Sequence, residues 1–553
     1  LYRRSSKSIM IQAFIENPLL LLFFTIAVGY GIGMISIKGF KLSVAAVLFV
    51  GLFVGGLNPD LHIPEFIIYF GLAVFIYSIG LSSAPTFFNS VKQNGARDIG
   101  LILFMLTVTV TIAAGIHYLF SLAPQTTAGL YAGATTNTAA LAGLIDLIDQ
   151  SKSATGMKKV LGDEAVAAYS IAYPVGVICT LLSIVLIKKL LGINFAEEEV
   201  NVSDKYPVKR KIVYKSVLVQ NFGLAGKTIR DIKKSLGTKV IFGRIVRGEE
   251  TILSTWDTKL EEDDKVILTG AKKDVFQVAQ VIGSIMDEDI SSDQREYTSK
   301  RFFVTNPKVA GQPISALNLN EQFSAVVTRI QRGDLELLPS SRTILESGDM
   351  VRFVAKKENI PDLARIFGDE FATLGRVNLL TFGLGLTIGL FIGMINFTLP
   401  GGITIRLGYA GGPMLVALIL GALRRTGNIV WTMPYSANET FKQFGLALLL
   451  AGIGVNAGHT FFTTLSQPSS IWIVITSAAI SFISAAISLI IGYKILKIPF
   501  SVIMGMVAHQ PAILDYSMSQ TRNKLPVIGF TLMLPIALIV KIIYVQMLYL
   551  FLS

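Results

Sequence analysis

The chain repeats itself at two scales, and the larger repeat most constrains what it can fold into. Residues 70–91 read FGLAVFIYSIGLSSAPTFFNSV and residues 444–465 read FGLALLLAGIGVNAGHTFFTTL, with nine identities in 22 ungapped positions. Ahead of them IGMI at 32–35 recurs at 392–395, and after them Tyr173-Pro174 is echoed by Leu534-Pro535. The features keep their order, so residues 10–192 and 376–553 read as two related halves. Both halves carry apolar runs of the length that crosses a bilayer, about 17–25 residues. Examples are 19–35, 99–120, 166–187, 470–491 and 527–551. Only 16% of the 553 residues are charged, against about 25% in soluble domains. Mean hydropathy is +0.59. The expected class is a mostly α-helical polytopic membrane protein. The stretch 1–8, ahead of Met10, is set aside as foreign to the fold.

Between the halves the character changes. Charges become dense and apolar runs shorten to strand length over residues 200–370. This region carries the smaller repeat. Residues 226–283 align with 311–368 at a constant offset of 85, with 15 identities in 58 positions. Arg244 matches Arg329, the Arg-Gly-Glu turn at 247–249 matches Arg-Gly-Asp at 332–334, and Asp264 matches Asp349. Each copy reads as strand (239–246; 325–331), turn, second strand, acidic turn, third strand (265–269; 350–354) and closing helix. Two small α+β modules are expected, over residues 205–288 and 294–372.

Lys and Arg placement sets topology. Lys38, Lys41, Lys92, Arg97, Lys188 and Lys189 in the first half, and Arg424, Arg425, Lys494, Lys497, Arg522 and Lys524 in the second, all call for the inner face. The loops 58–65, 121–126, 396–402 and 459–469 hold no Lys or Arg and read as outer. Five spans per half satisfy this, with the modules cytoplasmic and both termini outside. Residues 127–150 and 500–520 must then re-enter rather than cross, at the expense of placing Lys152, Lys158 and Lys159 outside. An odd span count inverts one half relative to the other, the usual plan of secondary transporters. The net charge of +12 fits basic loops against anionic lipid in a bacterial inner membrane. It does not fit nucleic acid, given the apolar content. Cys179 is the single cysteine, so no disulfide framework exists.

The re-entrant segments contain 133–144 (GATTNTAALAGL) and 505–517 (GMVAHQPAILDYS). Irregular backbone is tolerated at membrane depth only where it is buried in protein or lines a cavity. A half-helix starting there aims free N–H groups and a positive dipole end at that cavity, which favours a carboxylate. Thr135, Thr136, Asn137 and Thr138 add hydroxyl and amide partners; His509, Gln510 and Pro511 occupy the second copy. Small residues and Thr also serve ordinary helix packing, but two matched copies favour a binding role. Lys541 sits mid-span, where an ionisable group is a functional candidate; it could neutralise a substrate carboxylate or pair with Asp515. Asp146 and Asp149 face either the site or the outer solution. His117 and His459 read as interfacial, and Arg406 as an interface anchor or the lining of a vestibule. No metal, nucleophile or phosphate-loop constellation is expected.

The plan of membrane half, tandem modules and membrane half resembles the aspartate:alanine exchanger family, whose members share a segment similar to GATTNTAALAGL. This chain departs where Ala139 replaces the family's Pro, and where His509-Gln510-Pro511 stands for the usual Thr-rich motif. The modules resemble the C-terminal subdomain of potassium-conductance regulators, through the paired Arg-Gly-acid and acidic turns. The resemblance implies an exchanger of small carboxylates, with aspartate, alanine or a C4-dicarboxylate as cargo, working as a homodimer by alternating access; motion of elevator type is expected by analogy with other carriers built on paired re-entrant segments. It also implies ligand sensing in the modules, with cyclic di-AMP or another nucleotide against Arg244, Arg247, Arg329 and Arg332. The rival implied by the modules is a gated monovalent-cation channel or cation transporter. A carbonyl-lined filter such as Thr-Val-Gly-Tyr-Gly is missing from the sequence.

Overall fold

The computed structural model describes residues 2–37, 40–41, 44, 46–151, 154–195, 197–198, 212–221, 223, 226–238, 240–286, 296–332, 335–368, 377–398, 404–468, 470–523 and 525–553. The first half runs α1 (Tyr2–Glu16), α2 (Pro18–Gly33), a β1–β2 ribbon (Ser36–Ile37, Phe40–Lys41), α3 (Ala46–Gly55) and α4 (Glu65–Phe120). It continues with α5 (Pro124–Ala134), α6 (Thr138–Asp149) and α7 (Thr155–Leu191). The residues ahead of Met10 continue this first helix, which starts at Tyr2. That helix meets α2 at a 112° bend, where Asn17 caps α2 by accepting from Leu20 N at 3.1 Å.

The modules follow. The first is a five-stranded antiparallel sheet, order β5-β4-β6-β3-β7. Its strands are β3 (Ile212–Val219), β4 (Ile241–Arg247), β5 (Glu250–Leu253), β6 (Lys265–Ala271) and β7 (Gly283–Ile285), with helices α8 (Ile229–Leu236) and α9 (Lys272–Ile282). The second is four-stranded, order β10-β9-β11-β8. It comprises β8 (Tyr297–Phe303), β9 (Ala325–Arg332), β10 (Leu335–Leu337) and β11 (Met350–Lys356), with α10 (Leu319–Phe323) and α11 (Ile360–Phe367). β3 and β8 precede the aligned repeat and each pairs with the strand after the acidic turn. The alignment starting at Gly226 and Gly311 could not show them.

The second half contains α12 (Leu379–Gly393), a β12–β13 ribbon (Asn396–Thr398, Thr404–Arg406), α13 (Gly408–Leu423) and a β14–β15 hairpin (Arg425–Thr426, Ile429–Val430). Then come α14 (Tyr435–Leu465), α15 (Ser470–Ile490), α16 (Phe500–Val507), α17 (Pro511–Thr521) and α18 (Leu525–Leu552). Among the described residues, six segments are long and apolar enough to cross a membrane, three in each half: Glu65–Pro85, Ala96–Phe120, Gly156–Leu191, Tyr435–Leu465, Ser470–Ile495 and Leu525–Leu552. Two shorter apolar helices precede them in each half (α2 and α3; α12 and α13). The hairpins α5–α6 and α16–α17 hold the expected re-entrant places.

Contacts between the halves repeat as the sequence does. An added Cβ on Gly29 would lie 2.5 Å from Val47 Cα, and one on Gly389 would lie 2.7 Å from Pro413 Cα. Gly55 of α3 abuts the Val455 carbonyl in α14, and Gly421 of α13 abuts the Leu81 carbonyl in α4. Each half's second helix thus packs on the other half's third. Gly71 and Gly445, which align in the repeat, meet each other: a Cβ on either would lie 2.7 Å from the other's carbonyl oxygen. Around them Ile68 meets Gly452, Gly71 meets Leu448 and Phe75 meets Gly445. Numbers rise along one helix as they fall along the other, so equivalent spans run antiparallel and the halves are inverted repeats. Only small residues allow such close backbone approach between membrane helices.

The chain divides into two units, residues 1–208, 382–423 and 439–553 in one, and 209–381 with 424–438 in the other. In the second unit the repeated arginines form matching clamps. Arg247 donates through Nε and Nη2 to the two Asp264 oxygens (2.8 and 2.9 Å) and through Nη1 to Glu261 (2.5 Å). Arg332 does the same to Asp349 (2.8 and 2.7 Å) and Glu346 (2.5 Å). Each Nη2 also donates to a backbone carbonyl, of Lys259 or Ile344. Asp264 and Asp349 are buried, so each clamp neutralises a carboxylate bidentately.

Candidate functional site at the hairpin seam

Each re-entrant hairpin breaks where the sequence stops favouring helix. In the first, α5 ends at Ala134, and Thr135, Thr136 and Asn137 lie between it and α6. Asn137 caps α6, its Oδ1 accepting from Ala140 N at 2.9 Å, so α6 starts with its positive end at the break. Thr136 has φ +48°, a left-handed conformation that strains a β-branched residue. Its hydroxyl is buried and has no hydrogen-bond partner among the described residues. In the second hairpin α16 ends at Val507, Ala508 to Gln510 lie outside any helix with Gln510 extended, and α17 starts with Pro511 at its first turn, where a missing N–H does no harm.

Two long spans bring these breaks together. Lys541, midway along α18 and 1% exposed, donates to the Thr135 carbonyl at 3.1 Å and lies 3.0 Å from His509 Nδ1. One ammonium therefore touches both hairpins. From α7, the Tyr173 hydroxyl donates to Gln510 Oε1 at 2.7 Å, and the Tyr169 hydroxyl lies 2.8 Å from Thr138 Oγ1. The two tyrosine rings are 5.6 Å apart. Ser481 of α15 donates to the Ala134 carbonyl at 3.0 Å. Among the described residues Lys541 makes no ion pair with a carboxylate. The site thus combines a buried cation, two helix N-terminal ends and an unpartnered hydroxyl.

Thr135, Thr138, His509, Gln510 and Lys541 are joined in this contact chain, with Thr136 and Asn137 in the same break. Pro511 and Asp515 belong to α17, and their side chains lie outside the described residues. Asp146 and Asp149 sit at the far end of α6. Asp146 accepts from Gln150 at 2.7 Å and Asp149 from the Tyr69 hydroxyl at 2.7 Å. Asp146 and Gln150 line a cleft of about 460 Å³ with Asn396, Arg406, Gln546 and Tyr549; Arg406 hydrogen-bonds both Asn396 and Gln150 there. His117 lies 3.2 Å from the Thr127 hydroxyl, away from the seam.

The four arginines considered for a regulatory ligand all have partners. Arg247 and Arg332 hold the clamps; hydrogen bonding to Asp264 raises Arg247 above its ordinary guanidinium range. Arg329 pairs with Glu336 at 2.6 Å, and buried Arg244 donates to the Tyr297 carbonyl at 3.3 Å. Tyr169, Tyr173 and Ser481 escaped the sequence reading. The only signal was Tyr at 169 and 173, one turn apart and just before Pro174.

The family described as Predicted Permease Membrane Region matches residues 21–189 and 381–550, and the TrkA-C domain matches 216–283 and 301–368. An uncharacterized transporter of Geobacter sulfurreducens is 42% identical over 98% of this chain and 99% of its own. One from Symbiobacterium thermophilum is 39% identical, covering 97% and 98%. One from Corynebacterium diphtheriae is 36% identical, covering 96% and 98%. Two inverted permease halves around two TrkA-C domains, matched end to end by these relatives, make the chain a member of the aspartate:alanine exchanger family of membrane transporters.

Proposed function

We propose that the chain is a secondary active exchanger of small anionic carboxylates such as aspartate, alanine or a C4-dicarboxylate, with its binding site at the hairpin seam. The observation that carries this is Lys541: a buried ammonium against a carbonyl and an imidazole, with no acid beside it among the described residues. A lone charge at membrane depth is unfavourable unless something neutralises it. A substrate carboxylate supplies the missing charge, and the N-terminal ends of α6 and α17 and the Thr136 hydroxyl supply donors. The same lysine opposes a monovalent-cation pathway through the seam.

The hairpins with α7 and α18 form the moving part in this reading. The glycine-packed α3, α4, α13 and α14 form the support. The Lys and Arg distribution supports cytoplasmic modules and permease halves in a bacterial inner membrane. The modules act as the regulatory and homodimerising unit. A nucleotide such as cyclic di-AMP would compete with the clamp carboxylates for Arg247 and Arg332. Counterflow in proteoliposomes tests the function: labelled aspartate or succinate should exchange saturably against internal unlabelled carboxylate. Large unitary currents, or binding without flux, would refute it.

A further inference from the structure

The second module differs from the first in what its clamp touches. Residues 424–438, running from the end of α13 into the first turn of α14, group with the modules rather than with the rest of the helices they join. Arg424 follows the last residue of α13 and takes φ +58°. Its carbonyl accepts from Trp431 N at 2.9 Å, closing the β14–β15 hairpin. Arg425 Nη1 donates to the carbonyls of Pro307 (2.7 Å) and Ala310 (2.9 Å). Val430 packs on the second module's core. Gly311 and Gly348 leave room for the hairpin: a Cβ would lie 3.0 Å from Arg425 Cβ and 3.3 Å from Pro434 Cα, respectively.

Arg424 Nε lies 3.2 Å from Glu346 Oε1, the same oxygen that Arg332 Nη1 contacts at 2.5 Å. One carboxylate thus serves the module's internal clamp and the hairpin at once. Among the described residues its counterpart Glu261 pairs with Arg247 alone, and its side chain is 57% exposed against 15% for Glu346.

We propose that residues 424–438 are a strap through which the second module sets the state of the membrane helices, with Glu346 as the shared contact. Loosening the Arg332–Glu346–Asp349 clamp withdraws the partner of Arg424. Arg424 is peptide-bonded to α13, so its release reaches that helix directly. α13 in turn packs against α4 through Gly421 and against Asp146 through Gly408, where a Cβ would lie 2.8 Å from Asp146 Oδ2. The proposal rests on reading the modules as regulatory.

Amide hydrogen exchange on the full chain in lipid nanodiscs tests it. Arg424→Met leaves the Arg332 clamp whole, so the module stays folded. Exchange over 424–434 should rise at least tenfold, and the rise should continue into the last turns of α13 (residues 416–423). Counterflow of labelled carboxylate should change at least threefold. Glu346→Gln should act in the same direction, and Glu261→Gln should alter neither region. A rise that stops at Leu423, an unchanged strap, or an equal response to Glu261→Gln would overturn the proposal. If the parent chain moves no carboxylate, the carrier reading fails, while exchange over 416–423 still decides the strap.

Discussion

Replacing Lys541 by Met tests the seam most directly, because it separates binding from folding. Met keeps the length and apolar stem but deletes the ammonium. Two contacts disappear, the 3.1 Å donation to Thr135 O and the 3.0 Å approach to His509. Folding loses about 1–3 kcal/mol from the unsatisfied carbonyl and regains the desolvation of a buried charge. Exchanging buried charged groups for apolar residues of similar size is often neutral or stabilising, so Tm should hold or rise. Substrate binding has no such compensation. Removing one partner of a buried, hydrogen-bonded charge pair costs about 2–5 kcal/mol, or roughly 30- to 4,000-fold in affinity at 1.4 kcal/mol per decade. Counterflow of labelled aspartate or succinate, with a thermal melt of the same sample, reads both quantities. A folded Lys541→Met chain that exchanges either substrate with the parent's KM would refute the placement of the carboxylate.

Tyr173→Phe removes the donor to Gln510 and should weaken substrate handling by about fivefold, the equivalent of one ordinary hydrogen bond near 1 kcal/mol; an unchanged KM and kcat would make Tyr173 mere packing. Thr136→Gly relieves the left-handed strain, which costs about 1–3 kcal/mol, so its Tm should rise while counterflow falls through loss of the hydroxyl. Arg332→Met should destabilise the second module by about 3–5 kcal/mol, as expected when a buried carboxylate loses its partner. Arg247→Met should cost less, because that arginine is 30% exposed against 19% for Arg332; thermal unfolding of the two variants checks the order.

Much of the architecture was legible because packing and sequence share a cause. The glycines at 71 and 445 align since both sit where two backbones touch, and Gly29 and Gly389 make matching close approaches to Val47 and Pro413 in the two halves. Lys541 stood out because a charge within an apolar run has few structural explanations. Tyr169 and Tyr173 did not, since aromatic residues at helical spacing are ordinary core and only the fold reveals what their hydroxyls meet. Arg424 and Arg425 were read as inner-face charges, a general tendency that hid the ion pair with Glu346. The clamps were visible as matched Arg and Asp positions, but a sequence cannot show that each guanidinium is already engaged. The cleft around Arg406 joins residues from three distant segments, which no local pattern connects.

The crossed packing of the halves has a consequence in time. Gly55 finds its partner at Val455, roughly 400 residues later. At about 5–20 residues per second of synthesis, α3 and the start of α4 emerge some 20–80 s before the helix they pack against. For that interval the glycine faces of the first half have no proper neighbour. The early helices must wait in the bilayer with those faces against lipid or against one another. The whole soluble insert is made during the same wait, so both modules can fold before the membrane helices reach their final arrangement.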